Sequence, residues 1–358
     1  MTTTSVSHAG FGPAYSAVPD EGRVREACLG IDPNGFTIRH PPAPHQLSDF
    51  ITPEDQLFQT IHMGAAVVNV DKWILVIDGL VQHPFALTFG QLRSLPSSSI
   101  TSFHECYGSP IKPPTEALWR IGNITWTGIR LSYLLQLAQP LENARFVWSD
   151  GLDHGTFAGI TSDRYQKDLL LSKALEPEVL VAFAMNGQPL GKERGGPVRL
   201  VVPGWFGTNS TKWLCRLTLQ DKRASGPYTT TFYNEIDPGD TLKQKTRPVW
   251  AVEVNSMIVS PAPDTVVHQS KVAIEGWAWC HEPVTKVYVK RAGEQQWAEA
   301  IVAKRDGYSW QKWGASLMLP NGEHTLVARA VSCSGEEQPL MGRRNHVHQI
   351  KIMVSSNS

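Results

Sequence analysis

Cysteine is scarce and scattered in this chain of 358 residues: the five stand singly, at positions 28, 106, 215, 280 and 333. With no C-x-x-C pair, a structural zinc knot or a redox dithiol is not expected, and an odd, sparse set fits reduced thiols. An excess of one charge is missing too. Lys+Arg and Asp+Glu number 33 each, so no net field draws nucleic acid or an anionic membrane, and neither is expected as a partner. No apolar run reaches the length of a membrane span. The N-terminal residues lack the charged start and apolar stretch of a secretory signal, so a cytoplasmic chain is expected. An anion bound here must be gripped locally, by a few placed cations.

What is present is a core. Hydrophobic residues make up 41% and charged residues 18%, a globular balance over a length that suits two domains. Residues 1–50, rich in Pro, Gly, Ser and His, read as an arm on the main domain, with regular structure starting near Asp71. DKWILVIDGLV reads as a strand, and LTFGQLRSLP as a short helix with Thr88 as its N-cap. SITSFHECYGSP reads as a strand entering a broken loop. Ile129, Leu131, Leu134, Leu135 and Ala138 form a helical stripe. Further short strands follow without regular βαβ alternation, which predicts an α+β domain over 51–240. Beyond a polar, turn-rich stretch at 235–250, VAIEGWAW, VTKVYVKRA, SWQKWGASLML, HTLVARAVS and HVHQIKIMV alternate apolar and polar residues. These predict an immunoglobulin-like β-sandwich over 248–354. His346 and His348 are spaced to share one strand face, but no third zinc ligand stands at a telling distance, so a zinc hydrolase is disfavoured.

A series of short motifs in fixed order is more specific. Ile77-Asp78-Gly79-Leu80-Val81-Gln82-His83-Pro84 comes first, then the loop Cys106-Tyr107-Gly108-Ser109-Pro110. Trp119 to Leu131 follows, then Ala182 through Leu190, then Gly195-Gly196-Pro197-Val198-Arg199 through Pro203-Gly204, and finally Ser210-Thr211-Lys212-Trp213. Their shared order resembles the molybdopterin domain of the sulfite oxidase family, and the C-terminal sandwich resembles that family's dimerisation domain. The resemblance implies a molybdenum-molybdopterin cofactor with Cys106 as the thiolate ligand, a soft donor suited to a metal that changes oxidation state. It implies that Arg199 and Lys212 hold the cofactor phosphate, helped by Ser210 and Thr211, with His62, Asp153 and Arg194 also contacting the cofactor. Tyr233 and Trp119 match an active-site tyrosine and tryptophan. Cys28, Cys215, Cys280 and Cys333 read as buried small hydrophobes. A homodimer through the sandwich is expected, with Trp277, Trp279, Trp310 and Trp313 as core or interface anchors.

The resemblance breaks at the substrate. Sulfite-oxidising members bind their anion with arginines at three positions. Here these are Thr60, Ser109-Pro110 and the stretch Cys280-His281-Glu282-Pro283. A desolvated dianion needs compensating charge, so a small substrate other than sulfite is expected, unless Lys112, Arg120 or His104 rebuilds the anion site. No His-Pro-Gly-Gly haem loop and no GxGxxG fingerprint is seen, so a haem or flavin is not indicated and electrons are expected to pass to or from a separate partner. A sulfite oxidase with a rebuilt anion site is the rival within the class. A non-catalytic cofactor-binding or scaffold protein is the rival outside it, disfavoured because a scaffold has no use for a metal thiolate.

Overall fold

The computed structural model describes residues 18–109, 119–237, 239–242 and 244–356. Lys112 and Pro110 lie outside them.

Two sheets enclose the first core. One carries five strands in the order Gln166–Leu170, Phe146–Gly151, Leu214–Gln220, Ile74–Gly79, Phe85–Thr88. The contact between Leu214–Gln220 and Ile74–Gly79 is parallel and its neighbours are antiparallel, so this is a mixed sheet rather than a doubly wound one. The second sheet is antiparallel and places Leu180–Met185 between Ile121–Arg130 and the short strands Gln188–Pro189 and Arg199–Val201. The long hairpin of Ser97–Glu105 with Ile121–Arg130 forms its edge, in unbroken register from Ser97 opposite Ile129 to Glu105 opposite Ile121. The helix Leu131–Ala138 buries Leu131, Leu134, Leu135 and Ala138, the stripe that its spacing predicts. Thr88 caps the helix Phe89–Ser94, accepting from the Gln91 amide at 3.3 Å.

Strands begin earlier than the sequence suggests. Cys28–Asn34 pairs with Gly64–Val68, and Thr37–Arg39 with Gln59–Ile61. These segments are short, two of them of only three residues, so periodicity gives no signal. Their hydrogen bonds come from partners some thirty residues away in the chain, which a local reading does not see. The residues of the expected arm from Val18 onward are therefore woven into the domain that carries the site.

The C-terminal strands form a sandwich. Asn255–Ser260, Lys271–Trp279, Gln311–Met318 and Ile301–Val302 make one sheet. Thr265–Val267, His348–Val354, Gly322–Ser332, Val284–Arg291 and Ala298–Glu299 make the other. Alternation fixes which side chains enter the core: in Lys271–Trp279 the burial pattern alternates until both faces close over at Gly276. There a Cβ would stand 2.0 Å from the Met257 carbonyl oxygen. His346 and His348 do not act as a pair. His346 precedes the last strand and is more exposed, whereas buried His348 accepts the Ile258 amide at Nδ1, 3.0 Å.

A third apolar cluster joins the two parts: Leu47, Phe103, Trp119, Ile121 and Phe206 pack on Met257, Trp277, Trp279 and Trp310. Trp277 and Trp310 stack with centroids 4.6 Å apart, and their indoles donate to the carbonyls of Leu47 and Phe50. Across the same seam the Phe103 amide donates to the Tyr308 carbonyl at 2.9 Å and the Tyr308 amide to the Thr101 carbonyl at 3.2 Å. Large aromatic surfaces with satisfied polar tips make a rigid joint. Among the described residues no helix is long and apolar enough to cross a membrane.

Candidate active site

The edge strand Ser97–Glu105 ends under a cleft whose walls include Cys106, Thr60, His62, Arg199, Lys212 and Tyr233. Cys106 is aimed by a tight turn. Its amide donates to the Arg120 carbonyl at 2.9 Å, the Ser109 amide donates to its carbonyl at 3.1 Å, and the Arg120 amide donates to Ser109 Oγ at 3.1 Å. Gly108 leaves room for Arg120: a Cβ would lie 2.7 Å from an Arg120 guanidinium nitrogen and 3.8 Å from Cys106 Sγ. Thr60 Oγ1 lies 3.8 Å from the sulfur. Behind the turn, Glu105 is fully buried and accepts from the Trp279 indole at 2.8 Å. Burial pushes its carboxyl up to about 7, against the pull of Arg344 and of that hydrogen bond.

The opposite wall is cationic. Arg199 spends Nη1 on the Arg194 carbonyl and Nη2 on the Ser210 carbonyl, both at 3.1 Å. Lys212 donates to the Thr60 carbonyl at 2.9 Å. Neither cation has a carboxylate within ion-pair distance among the described residues. Their aromatic neighbours are Trp126, 5.0 Å from Arg199, and Trp213, 4.7 Å from Lys212. Burial pulls the Arg199 guanidinium down to about 10. Burial first, then repulsion from Arg199, pulls Lys212 down, while burial pushes the nearby Asp153 carboxyl up. Asp153 Oδ1 and the Trp126 indole nitrogen are buried without a hydrogen-bond partner. Two buried cations without counter-ions, beside one orphaned acceptor and one orphaned donor, suit a ligand with an anionic tail and a polar ring system. A molybdopterin has both.

The third wall is aromatic. His62 Nε2 shares a hydrogen bond with the Tyr233 hydroxyl. The imidazole is ringed by Phe157, Tyr165, Tyr228 and Tyr233, with centroids 4.7 to 5.8 Å away. Burial, reinforced by Lys212, lowers His62 to about 3, so it is neutral, and burial also raises the Tyr233 phenol. His104 is held well below its ordinary value by burial, Arg199 and Lys212, so it is neutral too and supplies no cation.

The structure thus gathers Cys106, His62, Asp153, Arg194, Arg199, Ser210, Lys212 and Tyr233 around one cavity. Arg194 lines it, but its terminal nitrogens are committed to the carbonyls of Phe58, Glu54 and Leu57 at 2.8 to 3.0 Å, which makes it a clamp on that turn. Ser210 Oγ accepts the Val202 amide at 3.1 Å. One expected site residue stands elsewhere. Trp119 is buried in the joint, edge-on to Trp279 and His348; the tight turn at Arg120, where the Ile121 amide donates to the Trp119 carbonyl at 2.8 Å, separates it from the cavity. Thr211, assigned to the cofactor through its backbone amide, bonds its hydroxyl to Ser149 at 2.7 Å. Sequence reasoning missed Tyr107, Tyr165, Glu105 and Arg344. Tyr107 had a signal, being next to Cys106. Arg344 had none, for 235 residues separate it from the Ser109 carbonyl that it meets at 3.1 Å.

The mixed α+β unit that holds the buried cation pair is also the part of the chain that a known domain family matches. Residues 62–228 match the oxidoreductase molybdopterin binding domain. Mitochondrial sulfite oxidase of Macaca fascicularis is 30% identical over 346 residues, covering 88% of this chain and 62% of that protein. Sulfite oxidase of Arabidopsis thaliana is 26% identical over 365 residues, covering 92% and 91%. The crystal structure of the sulfane dehydrogenase SoxCD from Paracoccus pantotrophus superposes with a TM-score of 0.76 at 25% identity, over 98% of this chain and 94% of that one. The chain spans about 62% of the length of the mitochondrial sulfite oxidases it resembles. Over most of its length the chain is similar to the sulfite-oxidase-like molybdopterin oxidoreductases, with residues 62–228 matching their cofactor-binding domain.

Proposed function

We propose that the chain is an oxidoreductase that works by two-electron redox or oxygen-atom transfer on a small substrate other than sulfite. Cys106 serves as the protein's ligand to a molybdenum held by molybdopterin. The observation that carries this is the buried Arg199–Lys212 pair, unmatched by carboxylates among the described residues, in the same cavity as Cys106. When bound, the cofactor supplies the redox change; the chain supplies the rest. Arg199 and Lys212 would hold the phosphate, with Ser210 beside them, and Asp153 Oδ1 would accept from the pterin ring. The Cys106 turn, pinned by Arg120 and Gly108, orients the thiolate. Tyr233, fixed by neutral His62, presents its hydroxyl to the substrate and keeps its proton at neutral pH, because burial disfavours the phenolate.

The substrate reading rests on the lining. The cations among the described lining residues are Arg194, Arg199 and Lys212; around Cys106 stand Thr60, Leu57, Phe58, Tyr107 and Tyr233. A dianion there would face hydroxyls and rings. The alternative, a sulfite oxidase with a rebuilt anion site, draws support from Arg120, whose guanidinium reaches the space over Gly108 near Cys106 Sγ. Electrons would pass to or from a separate partner. A homodimer would form through the sandwich, where Ile301 and Met318 are 85% and 71% exposed, and light scattering from a clean monomer would end that part.

The test is a molybdenum and pterin assay on chain made in a host competent for the cofactor, followed by a substrate screen. About one molybdenum per chain, with slow or no sulfite turnover and activity on an uncharged sulfur or nitrogen compound, is the expected result. Folded, metal-free protein would defeat the enzyme reading, and efficient sulfite oxidation would defeat the substrate reading.

A further inference from the structure

The cysteine turn is gripped from the sandwich side at both ends. Trp279 donates to Glu105 just before Cys106, and Arg344 donates to the Ser109 carbonyl just after it. Arg344 comes from the loop ahead of the last strand. Its other terminal nitrogen pairs with Glu253 at 3.0 Å, and its guanidinium packs on two rings, 4.7 Å from the Tyr107 centroid and 4.4 Å from that of Phe206. Phe206 meets Tyr107 edge-on at 5.4 Å, and the Glu235 carboxylate stands beside the Tyr107 hydroxyl. Tyr107 is thus fixed by a cation, a ring and a carboxylate while it still lines the cavity, whereas Arg344 is not among the lining residues. A cation exists beside the cysteine turn, and a phenol ring covers it.

We propose that Tyr107 is the specificity-determining residue of the cysteine wall. Its ring screens Arg344 from the cavity and presents an uncharged face, so the site takes a small molecule without net negative charge whose apolar part rests on that ring. This rests on reading the cavity as the molybdenum site. The guanidinium on the ring's far side draws its π-electrons, which weakens the attraction of the cavity face for cations while offering anions no direct contact. Arg344 acts through Tyr107 and the turn, as a positioning residue.

The test uses sulfate, a tetrahedral dianion, titrated calorimetrically into the molybdenum-loaded chain. Wild type and Tyr107→Phe should bind it equally weakly. Tyr107→Ala should uncover Arg344 and tighten binding about ten-fold, the worth of one charge-assisted contact. Adding Arg344→Gln to that variant should abolish the gain. Arg344→Gln alone should leave sulfate affinity unchanged, with melting temperatures recorded for every variant. Unchanged affinity in folded Tyr107→Ala, a gain that survives Arg344→Gln, or weaker binding in the single Arg344→Gln variant would each overturn the proposal. Should Tyr107→Ala not fold, the single Arg344→Gln variant still decides. Molybdenum per chain is measured first: a metal-free product defeats the cofactor reading separately. The variant comparison still reads the wall, since Arg199 and Lys212 are the same in all.

Discussion

Two walls of one cavity have been treated oppositely. On the Arg199–Lys212 wall, two cations are buried against the cost of desolvation, with no carboxylate in ion-pair distance among the described residues. On the Cys106 wall, the nearby cations are absent from the lining: Arg120 stands against Gly108 and Arg344 packs on Tyr107. Thr60 joins the walls, its carbonyl on Lys212 and its hydroxyl near the sulfur. The contrast teaches that a cofactor grip and a substrate filter can vary independently within one fold. The first is set by cations tied to backbone carbonyls, the second by which side chains stand in front.

The largest effect should come where the walls share one metal. Cys106→Ser should lose the sulfur-to-metal charge-transfer absorption and reduce turnover to background. A variant that kept both would show that the thiol belongs to the substrate wall alone. Next, Arg199→Ala should weaken cofactor retention roughly ten- to hundred-fold, measured as pterin released on dilution, because a charge-assisted grip is lost. Arg199→Lys should restore only part, as an ammonium lacks the fork. Equal retention in all three would erase the distinction between the walls.

Acid should act through both walls. His62 and His104 are neutral when buried and titrate near their ordinary value once unfolded. Their folded values are lowered, so protons bind the unfolded chain preferentially below about 6.5. Stability is therefore expected to fall as pH drops from about 6.5 toward 3, read by urea melts of the cofactor-free chain. Lys212 depresses both histidines, so Lys212→Met should bring their folded values nearer the ordinary one and make the acid loss smaller. An undiminished loss would place the cation away from them. The smallest effect is expected from Arg120→Gln. If Arg120 stands behind the substrate wall, inhibition by added sulfite should change by less than about three-fold, under 1 kcal/mol. A larger loss would favour the rebuilt anion site.

Much of this was legible in residue order. The strand Ile74–Gly79, the Thr88 cap, the stripe on Leu131–Ala138 and the alternating sandwich strands follow from local chemistry, and local periodicity survives folding. Cys106, Arg199 and Lys212 stood out because ordered motifs surround them. Trp119 was misplaced because a motif carries the residue type but not the direction in which a side chain points. Strand and turn geometry decides that.

By itself, then, the sequence determined the class of fold, the thiol and the cation pair, since each depends on residues near in the chain. Only the tertiary structure decided what faces the substrate. It brought Arg344 and Trp279 from the sandwich onto the cysteine turn, gave Arg194 to the backbone of its own domain, and placed a phenol over a cation. Those contacts join residues far apart in the chain, and no local pattern encodes which of them will meet.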